Sequence, residues 1–179
     1  MRKHQKALVL DTSAFISGFD PLALAEETYS VPEVRDELLD GSMAKTRFDA
    51  SIETGKLKII EPETKYIEQV KSISTKVGDI GLLSEADLAV LALALKLKEA
   101  GLESIIATDD YSIQNVAERM GLKFIPLANL GIRYQLHWVL YCPACGNRYP
   151  PEEKVATCIN CGTELKRKPI RRKPVKRKT

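Results

Sequence analysis

The sequence predicts an α/β protein, a parallel sheet layered between helices, followed by a small four-cysteine metal module and a basic, disordered tail. Three observations carry this. Short apolar runs alternate with helix-length segments through residues 1–136, the pattern of βαβ units. All four cysteines fall within twenty residues, in two C-x-x-C pairs. Residues 164–179 hold nine of the 27 Lys and Arg but one of the 24 Asp and Glu, which leaves residues 1–163 at a net −5 within an overall +3.

The 179 residues, 44% apolar and 28% charged, suit one domain with an appendage and exclude wholesale disorder. The expected division is 1–127 for the main domain, 128–140 for a linker, 141–163 for the metal module and 164–179 for the tail. No run approaches the ~18 apolar residues of a membrane span. The basic start, Met1 to Lys6, is followed by only Ala7-Leu8-Val9-Leu10 before Asp11, too short for a secretory core. The expectation is a cytoplasmic protein with no membrane partner.

Ala7–Leu10 reads as a strand buried on both faces, as do Leu57–Ile60, Ser104–Ala107 and Lys123–Pro126. Pro32 suits a first helical turn and opens a helix through Leu39. Residues 43–54 and 64–76 follow as helices, then a glycine-containing break, Gly78-Asp79-Ile80-Gly81. Ser84-Glu85-Ala86-Asp87 caps the longest helix, which runs apolar through Leu97 and ends before Gly101. Tyr111 to Met120 gives another helix, closed by Gly121. In the tail, Pro169, Pro174 and scarce apolar residues predict no folded core.

Cys142-Pro-Ala-Cys145 and Cys158-Ile-Asn-Cys161 are each followed by glycine, which lets the chain turn tightly around a metal. Four thiolates in this spacing fit one tetrahedral zinc in a zinc ribbon, a structural site because no coordination position stays open. Disulfides are disfavoured in the cytosol, and a redox pair needs one motif in a thioredoxin-like context. So small a module draws its folding energy from the metal.

Asp11 follows the first strand and Asp110 follows the strand ending at Ala107, the positions at which open α/β sheets bind ligands. Asp87 lies in the first turn of its helix, and Glu37 lies within the Pro32 helix. Each has a plain alternative, Asp87 as a helix cap and Asp11 or Asp110 as a turn opener. Two carboxylates ~5 Å apart repel by roughly 3 kcal/mol at an effective dielectric of ~20, so a converging set calls for a cation. Oxygen ligands of this kind favour one or two magnesium or manganese ions. The chain has two histidines and neither phosphate-binding glycine loop, which argues against histidine-driven catalysis and common nucleotide sites.

Leu10-Asp11-Thr12-Ser13, Glu37, Leu83-Ser84-Glu85-Ala86-Asp87 and Thr108-Asp109-Asp110 resemble the acidic signature of PIN-domain nucleases over most of residues 7–127. The resemblance implies an α/β/α sandwich and a divalent-metal-dependent endoribonuclease. It makes Asp11, Glu37, Asp87 and Asp110 the metal-binding acids, with Ser13 and Thr108 as supporting hydroxyls. Asp109 ranks below Asp110, because adjacent residues after a strand point apart, and Glu85 is an extra acid able to replace or assist Asp87.

A narrower set, Asp109 through Val116, Arg133 and His137-Trp138-Val139-Leu140-Tyr141-Cys142 running into the ribbon, resembles the archaeal Nob (NIN-one-binding) endoribonuclease family across nearly the whole chain. That implies cleavage of precursor small-subunit (16S) rRNA to its mature 3′ end, with the nascent small subunit and its assembly factors as partners. An acidic nuclease face repels RNA. Affinity is therefore expected from Lys166, Arg167, Lys168, Arg171, Arg172 and Lys173, and from Arg148 and Tyr149 in the ribbon, where Tyr149 either stacks on bases or packs on the metal module. Two alternatives remain: a toxin-type PIN ribonuclease acting on tRNA or mRNA, and a non-catalytic zinc-ribbon adaptor that binds rRNA.

Overall fold

The computed structural model describes residues 5–77, 79–127, 134–150 and 155–174. Five parallel strands form one sheet: β1 (Lys6–Leu10), β2 (Glu27–Ser30), β3 (Leu57–Ile59), β4 (Glu103–Ala107) and β5 (Lys123–Ile125), in the order β3-β2-β1-β4-β5. The chain builds outward from β1 on one side, then returns to build β4 and β5 on the other. The β1/β4 junction is thus the topological switch point, and the crevice beyond its carboxyl ends is where such sheets bind ligands. Register is continuous there, from Lys6 opposite Glu103 to Leu10 opposite Ala107.

The helices are α1 (Thr12–Ile16), α2 (Pro32–Glu37), α3 (Met43–Glu53), α4 (Thr64–Val77), α5 (Glu85–Glu99) and α6 (Tyr111–Arg119). α5 is apolar on nearly all sides, and Leu88 through Ala94 are all buried. Such a helix must lie in the core, and it packs against the central strands, α2, α4 and α6. A reciprocal cap starts it: the Asp87 backbone N–H donates to Ser84 Oγ (3.1 Å), and the Ser84 N–H donates to Asp87 Oδ2 (2.7 Å). Lys96 and Lys98 in its last turn suit the helix dipole. On the far flank Phe15 and Phe48 meet edge to face, centroids 4.9 Å apart.

Strand β2 lay outside the sequence expectation. Glu27-Thr-Tyr-Ser has no apolar run, yet Thr28, Tyr29 and Ser30 are buried. Two of their hydroxyls are satisfied by other segments, with Thr28 Oγ1 donating to the Lys56 carbonyl (2.5 Å) and Ser30 Oγ to the Leu10 carbonyl (2.8 Å).

The larger departure is at the end of the chain. The expected linker, 128–140, contains most of β6 (Tyr134–Tyr141), and the expected disordered tail contains β8 (Lys166–Pro174). With β7 (Arg148–Tyr149) these form an antiparallel sheet in the order β7-β6-β8. Composition predicted no core there, but β8 borrows one by pairing along β6. The Arg167 guanidinium lies 4.6 Å from the Trp138 ring centroid, and Lys168 Nζ lies 4.4 Å from that of Tyr141. Pro169 is tolerated because β8 is an edge strand with a register shift beside it. Residues 175–179 lie outside the described residues. Among the described residues no helix is long and apolar enough to cross a membrane.

Candidate active site and metal centre

Asp11 leaves β1 at the switch point and caps α1, with only 3% of its surface exposed. Its Oδ1 accepts from the Ala14 N–H (3.0 Å) and from Ser13 Oγ (2.7 Å), and its Oδ2 accepts from Thr108 Oγ1 (2.5 Å). Both hydroxyls also accept backbone N–H groups: Ser13 from Asp109 (3.0 Å) and Thr108 from Asp110 (3.0 Å). A hydroxyl that already accepts an N–H turns its proton elsewhere, here onto Asp11. Burial raises the Asp11 pKa, and these hydrogen bonds oppose it by favouring the carboxylate. The ends of β1 and β4 are thereby laced together through one buried acid.

Asp110 caps α6 by accepting the Ser112 N–H at 2.6 Å. Its charge raises the pKa of Asp11 and of Asp87. Asp87 is pushed up to about 6, first by burial, with the charges of Asp110 and Glu37 adding to it. Glu37, the last helical residue of α2, accepts from Thr12 Oγ1 at 2.5 Å. The four expected acids therefore share one electrostatic neighbourhood at the carboxyl edge of the sheet. Asp87 is both helix cap and member of the cluster, so its two sequence readings are compatible. Asp109 turns toward the chain after β5, accepting the Leu127 N–H at 2.9 Å. Glu85 is exposed at the first position of α5.

One further acid, Asp79, was not among those the sequence singled out; it is 2% exposed and also feels the charge of Asp110. Its setting, Gly78-Asp-Ile-Gly81, has the composition of a turn, and nothing in the sequence marks it as buried.

Oxygen donors from separate elements, set by hydroxyl and backbone hydrogen bonds, suit a hard divalent cation, whose charge would offset their mutual repulsion. The folded pKa of Asp87 lies above its ordinary 3.8, so its protonated form favours the metal-free fold; that contribution is complete below 3.8 and is lost as pH rises through about 6. A bound cation reverses the preference. Manganese should raise the Tm clearly at about pH 7.5 and much less at about pH 5, as read by thermal melts. Equal shifts at both values would count against Asp87 as a ligand.

Among the described residues, the four cysteines are the one group of three or more ligand atoms drawn within 4.8 Å of each other. Each C-x-x-C closes in the same way. Gly146 N–H donates to the Cys142 carbonyl (3.0 Å) and Gly162 N–H to that of Cys158 (2.8 Å), with both glycines at positive φ, +77° and +71°. The sulfurs stand 3.4 Å apart (Cys142–Cys161) and 3.5 Å apart (Cys145–Cys158), well beyond a disulfide bond. The cluster is compatible with zinc: four soft donors from two knuckles gather around one point. The Tyr149 hydroxyl, 3.1 Å from Cys158 Sγ, leads the effects that pull that thiol down to about 6, toward the thiolate a metal needs.

Two expected RNA contacts are corrected. Tyr149 is 8% exposed, its ring packed on Cys142 and Cys158 and its hydroxyl accepting the Ile159 N–H, so it belongs to the metal module and offers no face to a base. Arg167 is turned inward, its Nη2 3.0 Å from Asp79 Oδ1. Arg148 and Lys166 are exposed, and Lys168 is half-buried. The side chains of Arg171, Arg172 and Lys173 lie outside the described residues.

The parallel sheet carries acids after the strands on both sides of its switch point, and residues 8–97 match the family model described as PIN domain of ribonuclease. A protein named Endoribonuclease Nob1 from Pyrococcus abyssi is 39% identical over 166 residues, covering 93% of this chain and 96% of that one. Ribonuclease VapC1 from Thermoplasma acidophilum is 36% identical over 171 residues, 95% of this chain and 82% of its own. The 20S-pre-rRNA D-site endonuclease NOB1 of Saccharomyces cerevisiae is 31% identical over 97 residues, 53% of this chain and 21% of its own. The chain belongs to the Nob1 family of endoribonucleases.

Proposed function

We propose that this endoribonuclease cleaves precursor small-subunit (16S) rRNA to its mature 3′ end, in the cytoplasm and on the nascent small subunit. What supports the reading is that Asp11 and Asp110 follow the paired strands β1 and β4, that the charge of Asp110 reaches both Asp11 and Asp87, and that the charge of Glu37 reaches Asp87. These four side chains hold one or two divalent cations, magnesium or manganese, with Ser13 and Thr108 fixing Asp11. Bound there, such an ion supplies charge stabilisation at the phosphodiester and acidifies water for hydrolysis. The products are a 3′ hydroxyl and a 5′ phosphate, because the attacking oxygen is not RNA's own 2′ group. The four cysteines hold one structural zinc.

RNA affinity comes from the basic end of the chain. Lys166 and Lys168, with Arg171, Arg172, Lys173 and the exposed Arg148, supply phosphate contacts that weaken steeply with salt. The yeast relative's name supports precursor rRNA as the substrate class. Similarity to a protein named Ribonuclease VapC1 supports a broader ribonuclease reading, in which tRNA or mRNA is cut. One experiment separates them: with manganese present, an RNA spanning the small-subunit 3′ junction should be cut at one position and a tRNA left intact. Equal rates on both would overturn the maturation role and leave the nuclease standing.

A further inference from the structure

Asp79 sends its two carboxylate oxygens to different parts of the molecule. Oδ2 accepts from Asn115 Nδ2 on α6, and Oδ1 accepts from Arg167 Nη2 on β8 at 3.0 Å. Arg167 in turn lies over Trp138 of β6. Asp79 is held from behind by its own backbone, its N–H donating to the Ser74 carbonyl (2.9 Å) and its carbonyl accepting the Leu82 N–H (2.9 Å). An acid so buried requires partners, and a charge-assisted hydrogen bond from a guanidinium is among the strongest. The contact is long-range, 88 residues apart in sequence, and joins the ribbon sheet to the nuclease domain.

The strand pleat places this arginine. Arg167 pairs with Leu140 and Lys168 with Val139, so Arg167, Leu140 and Trp138 share one face of the β6–β8 pair while Lys166, Lys168, Tyr141 and the buried Val139 share the other, on which Lys166 is exposed and Lys168 half-buried. β6 lies against α4 and α6. Asn115 is five residues along α6 from Asp110, which caps that helix, a rise of about 7.5 Å on a rigid element. The path from the basic strand to the acidic edge thus runs through one ion pair and one helix.

We propose that Asp79 and Arg167 form a latch that positions the substrate: it fixes the β6–β8 pair on the nuclease domain, so that RNA held by Lys166 and Lys168, on the opposite face of β8 from Arg167, is presented to the acids around Asp110. Neither residue is catalytic; both act through the placement of the strand. The proposal rests on the functional reading above and deepens it, giving one inward cation of the basic segment an anchoring role and its neighbours the phosphate contacts.

The test uses the full, zinc-loaded chain and three variants, Asp79→Asn, Arg167→Ala and the double. Three readouts apply: emission of Trp138, the only tryptophan; hydrogen exchange along β6 and β8; and kcat and KM on a long junction RNA and on a dinucleotide, whose single phosphodiester, placed at the acids, leaves no second phosphate for β8. Misplacement of about 1 Å costs up to roughly 100-fold, so each single variant should lose about ten- to a hundredfold in kcat/KM on the long RNA and little on the short one. The double should be no worse than the worse single, because both break the same link. Asp79→Asn should also shift Trp138 emission and expose β8 to exchange, although it does not touch the ring itself.

Equal losses on the two RNAs, or multiplying losses in the double, would overturn the latch and assign Asp79 to the chemistry. Unchanged emission and exchange in Asp79→Asn would overturn it too. Arg167→Ala, on an edge strand, reports even where Asp79→Asn fails to fold. Should the wild type cut neither RNA, the nuclease reading fails, while emission and exchange still decide whether the latch forms.

Discussion

Asp11→Asn is expected to abolish RNA cleavage without unfolding the protein. Asparagine keeps an acceptor for the Ser13 hydroxyl and the Ala14 N–H. What it loses is the negative charge, and it places an amide N–H donor against the Thr108 hydroxyl, which then has to turn. Groups that merely orient a metal ligand are worth about 10–100-fold in activity. Loss of the charge at the buried centre of the acidic set should therefore exceed roughly 100-fold. Stability should move in the opposite direction. Burial holds the Asp11 pKa above its usual 3.8, so at neutral pH its charge disfavours the metal-free fold, and the contribution of its protonated form is full below 3.8 and lost as pH rises through the folded value. The variant should melt no lower than wild type at pH 7 without divalent metal, and should gain less when manganese is added. Unimpaired cleavage would remove Asp11, and with it the proposed centre.

Zinc removal should divide the molecule. The ribbon's buried cluster consists of Cys142, Cys158 and Tyr149, with Leu140, Val155 and Leu165 around it, too little apolar surface to fold unaided. Structural zinc contributes about 10–16 kcal/mol in modules of this size. Chelation, or Cys158→Ser, should collapse the β6-β7-β8 sheet, shift Trp138 emission and cost most of the RNA affinity. The five-stranded domain has its own core, centred on Leu10, Leu91 and Ile106, and should retain its secondary structure by circular dichroism. A single cooperative loss of both parts would show that the ribbon is integral to the nuclease fold.

The parts legible in the sequence were those whose physics is local. Ala7–Leu10 is apolar because its strand is covered on both faces, and the acid that ends it lies at the sheet edge by chain geometry alone. Ser84 and Asp87 announced the start of α5 because a reciprocal cap needs a fixed spacing. The hidden parts depend on partners distant in sequence. β2 is polar and buried, its Thr28 and Ser30 hydroxyls satisfied by carbonyls of other segments. Asp79 sits in a glycine-flanked turn and acquires its setting from Asn115 and from Arg167, 88 residues further on. Tyr149 is compatible in sequence with either side of the metal module, and only the contact of its hydroxyl with Cys158 fixes it inside. The cationic end was misjudged because composition measures what a segment lacks, whereas β8 is completed by the aromatic rings of β6.

The pairing of β8 with β6 also changes what the cationic end is. A floating polyelectrolyte would be indifferent to the order of its residues, and any shuffle of equal charge would serve. A pleated strand has phase. Sliding Lys166, Arg167 and Lys168 by one position against Leu140 turns the guanidinium to the opposite face and an ammonium toward the buried carboxylate. A single-residue insertion between Leu165 and Lys166 would therefore damage the protein more than neutralising Lys166 or Lys168, even though it leaves the net charge untouched.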